Sequence, residues 1–181
     1  MTKIMIIRHA EKPTPDGAFR GVTVGGHHDR HDLSVRGWQR AGALVRFFAP
    51  HSGSPKSPIS TPSSIFASAA TRASPSLRAK HTVVPLAEVL GLPIHAHHAD
   101  GDEHGVALAA LAAAGPVLIA WHHHSIPALI RHIAGDVAGF PPAWPDDRFD
   151  LVWVLDRGAD GSWTFSQTVQ RLFAHDPVEP T

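Results

Sequence analysis

The stretch MTKIMIIRHAEKP, residues 1–13, places a short apolar run directly before an arginine and a histidine. The run from Thr2 to Ile7 predicts a buried β-strand. Arg8 and His9 follow at the point where the run stops, so two polar groups stand at the carboxyl end of this strand. In open α/β sheets, ligands bind beyond the carboxyl ends of the strands. The stretch therefore predicts both a strand of the sheet and the position of a site.

Strand and helix signals alternate along the rest of the chain. Ser34 is the predicted N-cap of an amphipathic helix that ends before Pro50, and a second helix is closed by Gly91. This second helix is predicted at about residues 76–90. A third helix is predicted to end at about residue 114, and a fourth is predicted at residues 125–133. The further strands are predicted at residues 64–68, 92–96, 117–121, 149–155 and 163–169. The alternation predicts an α/β fold, a three-layer open and mostly parallel sheet with helices on both faces.

Length, charge and composition limit the classes of function. The 181 residues, 43% of them hydrophobic, are expected to form one domain, residues 1–181. Equal numbers of basic and acidic residues, 16 each, argue against a nucleic-acid partner. The apolar runs are too short to span a membrane and the start lacks a signal-peptide pattern, so we expect a cytoplasmic protein without a membrane partner. There is no cysteine, whereas 15 histidines make imidazole the expected source of chemistry.

Arginine or histidine follows three of the predicted strands: Arg8 and His9 after the first, Arg72 and Arg78 after the second, and His122 to His124 after the strand at 117–121. The topology is expected to bring these groups to one edge of the sheet. Guanidinium N–H groups match the geometry of phosphate oxygens, and a neutral imidazole can act as a nucleophile. The cluster therefore predicts a phosphoryl-transfer site.

Four motifs in chain order resemble the histidine phosphatase superfamily, in its phosphoglycerate mutase-like branch. They are RHAEKP at 8–13, LSVRGWQRA at 33–41, SPSLRAKHT at 74–82 and WHHHSIPALI at 121–130. The resemblance implies a metal-independent phosphatase without a cofactor, acting on a small phosphomonoester through a phosphohistidine. It implies that His9 is the nucleophile and that Arg8 and Arg78 bind the phosphoryl oxygens, since the SPxxRA spacing fits Arg78 and not Arg72. Because mutases of this superfamily generally carry long insertions, we expect a phosphatase and not a mutase.

The resemblance implies a second histidine in the site, but it does not decide which residue of the chain this is. One form of the family motif aligns His122, and another, which keeps a tryptophan before it, aligns His123. Trp121 favours His123, with His122 as the close alternative. Successive residues of a regular strand point to opposite faces, so both histidines cannot enter the site from a strand.

The resemblance also implies a general acid, for which the carboxylates after the third predicted strand are the candidates. Glu103 is favoured by position and Asp102 comes next, although Asp102 can instead cap the following helix. Asp100 is the third candidate. Glu11 is expected in a supporting role, orienting Arg8 or the second arginine through an ion pair.

The histidine-rich loops permit further readings. Residues 13–32 are a predicted loop that forms a pocket wall, and His28, with its neighbours His27 and His31, is expected to contact the anionic substrate. The clusters HHDRHD at 27–32 and HAHHADGDEH at 95–104 permit a metal-binding protein or metal-dependent hydrolase, although their spacing matches no established ligand motif. A non-catalytic phosphoester-binding module is the remaining alternative.

Overall fold

Six strands form one sheet in the computed structural model, which describes residues 2–180. The strands are β1 (Lys3–Arg8), β2 (Ser64–Ala67), β3 (Ile94–His95), β4 (Val117–Trp121), β5 (Leu151–Arg157) and β6 (Trp163–Val169). Their order across the sheet is β3-β2-β4-β1-β5-β6. The pairings show that β5 runs opposite to the other five strands, so the mostly parallel sheet predicted from the sequence is confirmed.

Four helices cover the two faces of the sheet. They are α1 (Val35–Phe48), α2 (Arg78–Leu90), α3 (Glu103–Ala112) and α4 (Ile126–Ala134). Helices α1 and α2 pack on the face that carries Met5 and Ile7, whereas α3 and α4 pack on the face that carries Ile4 and Ile6. The alternating side chains of β1 thus enter both cores, which confirms the three-layer arrangement. No helix within residues 2–180 has the length and apolar character needed to cross a membrane.

The helix ends follow the capping signals of the sequence. The Ser34 hydroxyl accepts a hydrogen bond from the Gly37 amide at 3.1 Å, so Ser34 is the N-cap of α1 as predicted. Gly91 ends α2 with φ of 65°, a left-handed conformation that glycine adopts without steric cost. The strand expected at 92–96 is reduced to Ile94–His95, an edge strand that pairs with β2 through two residues. Pro93 directly before it cannot donate a ladder hydrogen bond.

The pairing of β1 with β4 positions the site. These two neighbours run parallel in the register Arg8↔Trp121, and the His9 amide donates to the Trp121 carbonyl oxygen at 3.0 Å. His9 and His122 therefore leave the sheet side by side at its carboxyl edge.

Two glycines of α1 provide a test of the packing beneath this edge. A Cβ atom added at Gly37 would lie 2.4 Å from the Glu11 carbonyl oxygen, whereas one added at Gly42 meets no atom of another segment within 4 Å. We predict that Gly37→Ala lowers the free energy of unfolding by about 1–3 kcal/mol because the chain after His9 must shift. Gly42→Ala raises it by up to about 1 kcal/mol through helix propensity. Urea denaturation of both variants measures the difference, and equal effects would contradict the close approach.

Candidate functional site

His9 lies at the carboxyl end of β1 with a 3% exposed surface. Its ring Nδ1 is 2.7 Å from the carbonyl oxygen of Ala10. A carbonyl oxygen only accepts, so Nδ1 carries the proton and Nε2 keeps its lone pair. Burial holds the pKa of His9 well below its ordinary value of 6.5, and the nearby charges of Arg8 and Arg78 lower it further. The site thus contains a neutral imidazole whose Nε2 is chemically able to attack an electrophile.

Arg8 is buried without a carboxylate hydrogen-bonded to its guanidinium. Its Nη1 donates to the carbonyl oxygens of Asp146, at 2.5 Å, and Arg148, at 3.5 Å. The guanidinium carbon lies 3.9 Å from the ring centroid of Phe149, a cation–π contact. Its Nε and Nη2 atoms are buried and have no hydrogen-bond partner within residues 2–180. Burial lowers the pKa of Arg8 to about 10, so the group stays charged near neutral pH and has free donors for an anion.

Arg78, the first residue of α2, is the second cation near His9. Its Nη1 donates to the Arg30 carbonyl oxygen at 3.4 Å, and its Nε is buried with no partner in the described chain. Burial lowers the pKa of Arg78, and its charge in turn lowers the pKa values of Arg8, His9 and His122. Arg78 therefore lies near all three groups. Arg72, the competing arginine, is exposed.

Of the three consecutive histidines, the structure places His122 beside His9. The two ring centroids are 5.7 Å apart, and the buried Nε2 of His122 has no hydrogen-bond partner within residues 2–180. His123, the histidine that the sequence favoured, instead has its Nε2 3.1 Å from Asp146 Oδ1. His124 is mostly exposed and pairs with Asp100. His123 thus contacts the 140–150 segment, in which the Asp146 carbonyl oxygen also accepts from Arg8.

Burial lowers the pKa of His122, and the negative charges of Asp100 and Glu103 oppose this shift. Both carboxylates therefore lie near His122. Glu103 is buried, and its Oε1 accepts hydrogen bonds from the Gly101 amide at 3.0 Å and from Trp121 Nε1 at 3.1 Å.

The other two candidate acids have separate structural roles. Asp102 caps α3 by accepting from the Gly105 amide at 3.1 Å, and its pKa is lowered chiefly by a hydrogen bond with His98. Asp100 accepts from the Ser125 hydroxyl at 2.7 Å, which joins the turn before α3 to the start of α4.

Glu11 pairs with Arg40, at 2.8 Å, and with Arg36, at 3.4 Å, and not with Arg8 or Arg78 as the sequence suggested. Arg40 also binds Asp176 at 2.7 Å, so a buried ion-pair network joins the chain after His9 to the C-terminal segment. Sequence reasoning missed Arg40, although it lies within the LSVRGWQRA motif. It also missed Phe149, for which the sequence carries no signal.

The histidine-rich loop contacts the site through its backbone. The His31 carbonyl oxygen accepts from the Leu77 amide at 3.0 Å, immediately before Arg78. The side chain of His28 is exposed, and its backbone forms a bridge with Val22. Among residues 2–180, no three His, Asp or Glu side chains are grouped so that they could hold a metal ion.

Comparison with known proteins shows a likeness in structure only. No family model matches the chain, and no curated protein matches its sequence. Among solved structures, the protein histidine phosphatase SixA complexed with tungstate has a TM-score of 0.57 at 16% identity, covering 93% of this chain and 97% of that one. A phosphoserine phosphatase from Entamoeba histolytica, in complex with 3-phosphoglyceric acid, also has a TM-score of 0.57, at 14% identity, with 96% and 100% covered.

A mycobacterial glucosyl-3-phosphoglycerate phosphatase has a TM-score of 0.53 at 16% identity, over 92% of this chain and 97% of that one. The chain therefore has a fold similar to that of these phosphatases, an α/β fold of the kind that the four motifs predicted. One fold hosts many functions, so the activity depends on the residues of the site.

The protonation state of His9 is directly measurable. We predict that its ring is neutral at pH 6 and protonated on Nδ1, because burial and the two arginines disfavour a second proton. Nitrogen-15 chemical shifts of the ring report both properties, and the His9→Gln variant assigns the signal. The same histidine in the urea-unfolded chain should titrate near about 6.5. A midpoint near that value in the folded protein would contradict the prediction.

Proposed function

We propose that this chain is a phosphomonoester hydrolase that acts through a phosphohistidine intermediate at His9. One observation carries the proposal: a neutral histidine with its Nε2 lone pair available lies beside buried guanidinium N–H groups that have no partner in the described chain. A buried cation with unsatisfied donors costs free energy unless an anion completes its hydrogen bonds. A phosphoryl group supplies both the electrophile for the imidazole and the acceptors for the arginines.

In the first step, His9 Nε2 attacks phosphorus and the bond to the leaving oxygen breaks. The electron pair of that bond goes to the leaving oxygen, which takes a proton from a general acid. Arg8 and Arg78 bind the equatorial oxygens and stabilise their charge in the transition state. His122 adds a further hydrogen-bond donor from its buried Nε2. The Ala10 carbonyl oxygen stabilises the Nδ1–H of His9 as the ring becomes cationic.

Glu103 is the proposed general acid. Asp102 is engaged with the end of α3 and Asp100 with Ser125, whereas Glu103 is held against Trp121, the strand residue whose carbonyl oxygen fixes His9. In the second step, a water attacks phosphorus, Glu103 removes its proton, and the phosphorus–nitrogen bond breaks to restore neutral His9. Water accepts the phosphoryl group in this scheme, so the product is inorganic phosphate and the reaction is hydrolysis.

Hydrolysis of p-nitrophenyl phosphate tests the reaction. We expect the wild type to be active in EDTA and to form a phosphoprotein that is stable in base and labile in acid. The His9→Ala variant should lose activity by on the order of 10³-fold or more and form no phosphoprotein. Activity that vanishes with EDTA and returns with zinc would instead indicate a metal-dependent hydrolase. A wild type as inert as the variant across a phosphoester panel would indicate a binding module.

Single substitutions can distinguish the roles of the two adjacent candidate histidines, His122 and His123. We predict that His122→Ala lowers kcat by about 10²-fold, the usual cost of removing one donor to the transition state. His123→Ala, which serves as its matched control, should lower kcat by less than about tenfold because its Nε2 faces Asp146 and not the reacting group. Steady-state kinetics of both variants measures this, and a reversed order would show that His123 enters the site.

A further inference from the structure

A cavity of about 450 Å³ is lined by Phe149, the residue whose ring contacts Arg8. Its volume is within the range of about 300–1,000 Å³ typical of small-molecule sites. The walls are formed by residues 11–15 and Phe19 of the loop after His9, by the start of α1, by residues 146–150 and by residues 175–177 of the C-terminal segment. None of these lining residues has a part in the proposed chemistry at phosphorus, so the role of the cavity remains to be assigned.

The cavity and the phosphoryl site share a wall. Phe149 lines the cavity, and its ring supports the Arg8 guanidinium at 3.9 Å. Asp146 also lines the cavity, and its carbonyl oxygen accepts from Arg8 Nη1. The free donors of Arg8, Nε and Nη2, lie on the same guanidinium. Arg8 thus contacts two residues of the cavity wall, and the cavity is the neighbouring space on that side of Arg8.

The lining chemistry selects what fits. The uncharged walls are largely proline and phenylalanine, including Pro15 and Phe19, and the Phe19 side chain is 55% exposed. Most charged lining groups are already paired: Glu11 and Asp176 with Arg40, and Asp150 with Arg148. Five carboxylates against four basic side chains give the cavity no excess positive charge. A flat apolar group of the substrate would gain contact area in this cavity. An anionic group, in addition to the phosphoryl group, would find only Lys12 as an unpaired cation among the lining residues.

We propose that this cavity binds the leaving group of the substrate, and that the leaving group is an apolar ring, as in an aryl phosphomonoester. The inference rests on the proposed function and adds the substrate class. Phe19 is the residue that determines specificity, because it offers an exposed aromatic face on the cavity wall. A small leaving group with its own carboxylate, as in 3-phosphoglycerate, has only Lys12 to pair with on this wall and gains no aromatic contact.

The test compares 1-naphthyl phosphate with 3-phosphoglycerate in the wild type and in Phe19→Ala. Each substrate is compared with itself across the variants, so the intrinsic reactivity of the leaving group cancels. We expect Phe19→Ala to raise KM for the naphthyl ester roughly threefold to tenfold with kcat little changed, the size of a lost aromatic contact. KM for 3-phosphoglycerate should not change. Val24→Ala, an exposed residue of the same loop outside the cavity, is the matched control and should change neither KM.

Equal KM values for the naphthyl ester in the wild type and in Phe19→Ala would overturn the assignment, as would an equal rise for both substrates. Failure of the proposed function is distinguishable, since the wild type then hydrolyses neither compound. In that case calorimetric titration still decides the role of the cavity. Phe19→Ala must weaken binding of 1-naphthyl phosphate and leave binding of inorganic phosphate unchanged, and any other result would refute the assignment.

Discussion

The parallel pairing of β1 with β4 is the constraint on which the site depends. A single backbone hydrogen bond, from the His9 amide to the Trp121 carbonyl oxygen, closes this pairing at the carboxyl edge of the sheet. It fixes where the strands β1 and β4 end, and so it places His9 and His122 side by side. Both strands are buried on both faces by helices, which leaves their register no freedom to slip. The relative position of the two imidazole rings at this edge is therefore determined by the packing of the core.

The electrostatics follow from how the carboxylates are distributed. Around the site, Glu11 and Asp176 are committed to Arg40, and Asp150 is committed to Arg148. Arg8 is left with carbonyl oxygens and an aromatic ring, which support a buried cation without neutralising it. A carboxylate paired with Arg8 would have satisfied these donors and neutralised its charge. Because these carboxylates are paired with other arginines, Arg8 keeps donors that no group within residues 2–180 satisfies.

The sequence predicted the parts of the structure that local patterns determine. The alternation of strands and helices, the Ser34 cap and the Gly91 stop depend on residues close in the chain, and the structure has them. The placement of the His122 and His123 side chains could not be predicted in the same way. It depends on where β4 ends and the turn to α4 begins, and at that turn the strict alternation of a strand no longer applies. The Arg40–Asp176 pair spans 136 residues, so no local pattern could indicate it.

The same distinction applies to the parts of the candidate site. The floor of the site consists of residues at the ends of β1 and β4 and the start of α2, which regular structure holds in place. Its walls are irregular segments, and long-range contacts hold them: the carbonyl oxygens of the 140–150 segment on Arg8, and Asp176 on Arg40. Sequence motifs describe the floor because each of its residues has a fixed place within a strand or helix. The walls have no such periodicity, so their positions follow only from the three-dimensional contacts between segments that are distant in the chain.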